Sequence, residues 1–179
     1  MFLKRMNKRL FGVITSIVVI ALSLILCVHV HFKSYTVGEV PVTDTYYYKH
    51  LDASLTFRKQ IQDLPPNLLK CIHTITITDY NYDQFSHILF KERDMYLIPE
   101  QKGIENVVLH EACHAFDSFH TISDSKEFEE ALEADDYTMV GDKRETFVSL
   151  MQFYLKDPEG AEEFYPNFYK MMKRIETGQ

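Results

Sequence analysis

The sequence predicts an α+β domain behind an apolar N-terminal helix, and three observations carry that reading. Phe11 through Val30 runs for 20 residues without a charge. Thr74-Ile75-Thr76-Ile77-Thr78 alternates strictly between polar and apolar β-branched residues, which reads as a strand with one buried face. Everything after Gly103 reads helical, and a small sheet followed by helices is an α+β arrangement.

Taken in order, residues 1–10 are a short basic segment carrying Lys4, Arg5, Lys8 and Arg9. The uncharged stretch 11–30 would span about 30 Å as a helix, the hydrocarbon thickness of a bilayer. Its preceding cations predict a cytoplasmic N-terminus and an extracytoplasmic remainder, a single-pass protein of the cell membrane. A cleaved signal peptide, giving a secreted domain, is the competing reading. Its apolar region would be shorter and followed by small residues, whereas Leu26-Cys27-Val28-His29-Val30-His31 offers none, so an uncleaved signal anchor is expected. Residues 31–45, polar and mixed with Gly38 and Pro41, read as a juxtamembrane linker.

The domain is then expected over 46–179. Leu51, Leu55 and Ile61, with Tyr47 and Phe57 nearby, give a rough apolar stripe ended by Leu64-Pro65-Pro66. A short helix around Asn67 to Cys71 leads into the strand at Thr74. Asp79 to Asp83 is turn-like, and Phe85 to Phe90 and Met95 to Ile98 suggest two more short strands, closed by Pro99. Helices are predicted from Ile104 to about Phe119, from Ser125 to Tyr137, from Asp142 to Leu155 and from Pro166 through Met172.

Apolar residues make up 46 % of the chain and aromatics 13 %, enough for a core. Setting the four N-terminal cations aside takes the net charge from −7 to −11 for the remainder, which speaks against nucleic acid as a partner. The three cysteines, Cys27, Cys71 and Cys113, require no disulfide, and a bridge from Cys71 would tether the helix that carries Cys113.

That helix carries the chemistry. His110-Glu111-Ala112-Cys113-His114 is an HExxH sequence, and residues four apart share a helix face, so both imidazoles can point at one metal ion. Glu111 sits one step around, placed to reach a metal-bound water as general base. Catalytic zinc usually takes a third protein ligand. His120, six residues after His114, nearly completes a metzincin HExxHxxGxxH pattern, with Asp117 in place of the glycine that lets the helix turn. Glu145, opening a predicted downstream helix, is the rival, as in gluzincins.

The chain resembles the zincin catalytic domain of anthrax lethal factor and the secreted proline-proline endopeptidases. The likeness covers roughly Leu64 to Ile175. It rests on Leu64-Pro65-Pro66-Asn67-Leu68-Leu69 leading into Ile75-Thr76-Ile77, on His110 to Asp117, on Ser123 to Phe128 and on Glu145-Thr146-Phe147-Val148. Phe153-Tyr154-Leu155 and Pro166-Asn167-Phe168-Tyr169 look similar too. The resemblance implies a zincin-like metalloprotease fold, with His110, His114 and Glu145 as zinc ligands, Glu111 as base and Asp117 as the family's aspartate after the motif. It also implies a tyrosine that donates to the oxyanion, for which Tyr137 is the candidate, one position out of register. Cys113 stands where the family usually has glycine, and Ser149 where it often has a second glutamate.

The implied activity is zinc-dependent hydrolysis of peptide bonds in a peptide or protein substrate, a metalloendopeptidase. Asp117 is expected to hold an imidazole in its ligating tautomer. The strand Met95 to Ile98 is expected to be the edge on which an extended substrate lies. The alternatives are a catalytically inactive binding module of the same fold at the cell surface, and a metzincin-like protease using His120.

Overall fold

In this computed structural model the described residues are 8–45, 51–78, 85–98, 106–139 and 141–178, the side chains of 8–11 and 27–32 excepted. They form a five-stranded mixed sheet and, among the described residues, eight helices, an α+β architecture.

Helix α1 (Lys8–Lys33) precedes the sheet. Its described side chains from Gly12 to Leu26 are exposed, and Val13, Ile17, Val19, Ile20, Leu22, Leu24, Ile25 and Leu26 among them are large and apolar. Among the described residues no helix is long and apolar enough to cross a membrane. The expected span from residue 11 to residue 30 extends past the described side chains at both ends.

The stretch expected to be a linker is instead a hairpin. Strands β1 (Ser34–Val37) and β2 (Val40–Asp44) pair antiparallel around Gly38, whose φ of +58° suits glycine. The alternation Val40-Pro41-Val42-Thr43-Asp44 places Val40, Val42 and Asp44 inward, a period-two signal hidden by Pro41, Gly38 and the polar residues between. Helices α2 (Leu51–Gln62) and α3 (Pro66–Leu69) follow, before β3 (Thr74–Ile77), which lies parallel to β2. The buried face of α2 is Ser54, Phe57 and Ile61, while Leu51 and Leu55 of the expected stripe are exposed. Tyr47, the turn Asp79 to Asp83 and Pro99 lie outside the described residues.

β4 (His87–Leu89) and β5 (Asp94–Leu97) complete the sheet in the order β1-β2-β3-β5-β4. β5 is therefore interior, parallel to β3 and antiparallel to β4, and the edge is β4. This corrects the expectation that the strand before the motif helix is the edge. The Phe90-to-Arg93 turn folds β4 outside β5, with Arg93 in the left-handed region at φ 58°. Register aligns Val42, Ile75, Met95 and Ile88 in one row across the sheet, every one of them buried. Each such side chain stabilises the fold by roughly 1.5–3 kcal/mol relative to exposure.

That face of the sheet packs on α4 (Val107–His120), the central helix. The remaining helices are α5 (Lys126–Ala134), α6 (Lys143–Lys156), α7 (Pro158–Phe164) and α8 (Pro166–Thr177). α7 was not anticipated, although Asp157-Pro158 is a start signal: the Asp157 side chain accepts from Gly160 N at 3.0 Å. Any side chain at residue 160 would put its Cβ 2.4 Å from the Asp157 carboxylate, so glycine lets this cap close. Phe128, Phe147 and Phe168 from α5, α6 and α8 meet edge-on and fill the core between the three helices. The start of α8 is capped from a distance, Asp135 accepting from Asn167 N and Phe168 N.

Candidate metal centre

α4 owes its position to one apolar side and a cap. Val107, Val108, Ala112, Cys113, Ala115 and Phe116 are buried, and the Asn106 side chain accepts from Leu109 N at 3.1 Å. With that side fixed against the core, His110, Glu111 and His114 face a cleft. The two rings stand one turn apart, their centroids separated by 4.8 Å and their planes at 82°.

Glu145 comes from α6, which packs on α4. Asp142 caps α6 by accepting from Arg144 N at 2.7 Å. Glu145 is three residues into the helix, where a capping-box glutamate would reach back to the cap residue. Its carboxylate is turned to the imidazoles instead. Oε1 lies 3.1 Å from His114 Nε2 and Oε2 lies 3.5 Å from His110 Nε2. The candidate ligand atoms of the three residues all lie within 4.8 Å of one another. Four ligands at the usual zinc bond lengths would be about 3.3 Å apart in a tetrahedron, so the three groups are close to the spacing such an ion needs.

The electrostatics fit a cation. Burial lowers the pKa of His110 and the neighbouring His114 lowers it further, against the opposing pull of Glu145. Burial likewise lowers that of His114, which Glu145 and then Asp117 oppose. Burial thus favours the neutral form of both rings, the form that ligates a metal. Glu111 is 4 % exposed, and burial, with Glu145 nearby, pushes its carboxyl up to about 8. Two neutral imidazoles, one accessible carboxylate and a second carboxyl that resists ionising make a site short of positive charge.

The cleft has a volume of about 480 Å³. Its floor is His110, Glu111 and His114. One wall is the edge strand and its flanks, Phe85 to Ile88 and Phe90, and the other is the start of α6, Asp142, Arg144 and Glu145. Ser86 Oγ accepts from Ile98 N at 2.9 Å, fastening the wall to the end of β5. Phe90 meets His114 edge-on at 5.9 Å.

Other expected residues lie elsewhere. His120 is still on α4, because Asp117 does not break the helix, which turns only at Thr121 with φ 54°. Six helical residues carry His120 about 240° around and about 9 Å along from His114. Its ring packs on Phe116 and Phe119 and is no part of the cluster. Tyr137 does not line the cleft; its ring meets Tyr165 edge-on at 5.5 Å.

Asp117 is buried, but its carboxylate holds Ser123 rather than a ring. One oxygen accepts from Ser123 N and the other from Ser123 Oγ, both at 2.7 Å. It thereby ties the chain after α4 back onto the helix, and His114 Nδ1 is buried with no partner among the described residues. Cys113 is fully buried in the core, where burial raises its thiol pKa, and it is no part of the candidate ligand cluster. Cys71 and Cys113 are both free thiols. Ser149 is exposed.

Reading the sequence did not single out Arg144, Asp142, Ile88 or Phe90. The pattern Asp142-Lys143-Arg144-Glu145 at a helix start was the available signal for the α6 wall. Nothing local marks Phe90, whose place depends on β4 folding outside β5. No family model, curated protein or solved structure matches this chain.

Proposed function

We propose that the chain is a zinc-dependent endopeptidase with a zincin-like catalytic domain, anchored to the cell membrane by α1 with the domain on the extracytoplasmic side. The observation that carries the reading is the approach of Glu145 to both HExxH imidazoles, with Glu111 beside them in a cleft bordered by an edge strand. The fold and activity implied by the resemblance agree with that arrangement. The anchor reading is supported by the exposed apolar side chains of α1 and the cations before it.

His110, His114 and Glu145 would hold the ion. When bound, zinc supplies Lewis acidity, which lowers the pKa of a coordinated water toward neutrality and polarises a substrate carbonyl. Glu111, one residue from His110, accepts the attacking water's proton and returns it to the leaving amine. A cation in the site favours the ionised form of Glu111, which its burial alone disfavours. β4 offers the side of its backbone that is unpaired among the described residues to an extended chain, which binds by strand addition across the floor. That geometry suits a polypeptide better than a small ester.

The test is Glu111→Gln in the full chain. Peptide hydrolysis should fall by at least two orders of magnitude while zinc content stays at about one per chain. Undiminished hydrolysis would refute the assignment. The position of Tyr137 outside the cleft favours a second reading, a zinc-holding module that binds peptides without cutting them. Zinc at one per chain with no hydrolysis of any unfolded protein offered would establish that reading instead.

A further inference from the structure

Arg144 is the one Lys or Arg among the described residues lining the cleft. Its guanidinium lies over the Phe90 ring, 4.4 Å from the centroid, and Phe90 in turn stands edge-on to His114. The cation thus sits over a ring that itself touches a candidate metal ligand. A guanidinium carries five N–H donors, and stacking occupies its face while leaving its edges for hydrogen bonds. Among the described residues its one ion partner is Asp124, at 3.6 Å, with the Asp124 side chain 69 % exposed. An exposed contact of that length is weak and easily exchanged. The neighbouring Lys143 is engaged with Glu129 of α5. Arg144 is therefore a pre-oriented, under-used cation at the mouth of a cleft in a chain whose net charge is negative.

We propose that Arg144 is the specificity-determining residue of this cleft, taking the carboxylate of an acidic side chain from a peptide lying along β4. This rests on the peptide-binding part of the function proposed above. Alternate residues of an extended chain point the same way, so a peptide added to β4 directs every second side chain across the cleft toward α6. Phe90 holds the guanidinium carbon over its ring, 4.4 Å from the centroid, and the N–H groups directed away from the ring can meet both carboxylate oxygens. Neither glutamine nor asparagine can match that bidentate, charged pair.

The probes are two fluorescein-labelled dodecapeptides, alternating alanine with glutamate and alanine with glutamine, so that binding does not depend on register. Dissociation constants are read by anisotropy at 0.15 M salt on the zinc-loaded full chain carrying Glu111→Gln. The glutamate peptide should bind about tenfold tighter, the factor expected for one charge-assisted pair. Adding Arg144→Gln should bring the two within about twofold at unchanged zinc content, and Asp124→Asn should tighten the glutamate peptide further by removing its competitor. General electrostatics of a chain with net charge −7 acts in the opposite sense, so an acidic preference requires a local cation. No preference for the glutamate peptide, or a preference that survives Arg144→Gln, would overturn the proposal and leave the peptidase reading standing. A preference that depends on Arg144, in a chain that with Glu111 restored cuts neither peptide nor any unfolded protein, would sustain the subsite and overturn the peptidase reading.

Discussion

Glu111→Gln should stabilise the metal-free protein, and the gain should depend on pH. The side chain is 4 % exposed and its carboxyl is raised from an ordinary 4.5 to about 8, chiefly by burial and then by Glu145. Because the folded state holds this proton more tightly than the unfolded chain does, stability falls as pH rises from about 4.5 to about 8. At pH 7 the unfolded state has been favoured over about 2.5 pH units, each worth 1.36 kcal/mol, or about 3 kcal/mol in all. Glutamine keeps the shape, never ionises and removes that penalty. Thermal unfolding of the metal-free chain in detergent should therefore show the variant melting about 10 °C higher at pH 7 and within about 2 °C of the parent at pH 4. Saturating zinc should shrink the gain, since a nearby dication stabilises the Glu111 carboxylate. A gain no larger at pH 7 than at pH 4, or a loss at pH 7, would refute the claim that Glu111 sits in an environment hostile to its charge.

Glu145→Ala should abolish zinc retention after dialysis against a weak chelator while His120→Ala retains about one zinc per chain; elemental analysis of the two decides between the carboxylate and the third histidine. Tyr137→Phe should change kcat for peptide hydrolysis by less than about twofold, because the phenol packs on Tyr165 rather than in the cleft. Asp117→Ala leaves two buried Ser123 groups without an acceptor and should cost about 3 kcal/mol in urea unfolding, with zinc binding weakened only in proportion to the unfolded fraction.

The motif helix, the alternation at Thr74 to Thr78 and the helix starts at Ser125, Asp142 and Pro166 were legible because each is a local signal. Residue periodicity or a capping side chain fixes them without reference to the rest of the chain. Glu145 as a partner of the histidines was reached through the family resemblance, since a first-turn glutamate has no local mark that separates a ligand from a dipole partner. What escaped depended on long-range pairing. Residues 34–44 look like a linker until Val42 finds Ile75 across the sheet, and β5 looks like an edge until β4 folds outside it. Asp117 went astray for a related reason. Its spacing from His114 fits a ring contact, but Ser123, six residues on, supplies two donors to it at 2.7 Å. His120 followed the spacing of a broken helix, whereas α4 runs unbroken to that residue.

α1 ends at Lys33 and β1 begins at Ser34, with no spacer between them. With α1 seated in a bilayer as proposed, the domain has no leash, and the sheet itself sets how far the cleft stands from its anchor. β1 and β4 are the two outer strands of five, so the cleft's strand wall lies about 19 Å across the sheet from the strand fused to the anchor. With the anchor in place, that offset would limit how far above the lipid headgroups the cleft's strand wall could stand. Chains that emerge from or lie along the same membrane would then meet it at high local concentration, whereas freely diffusing ones would encounter it only by chance. Lengthening the junction after Lys33 with a flexible insert should broaden the range of chains the cleft can reach and dilute its advantage toward those held in the membrane beside it.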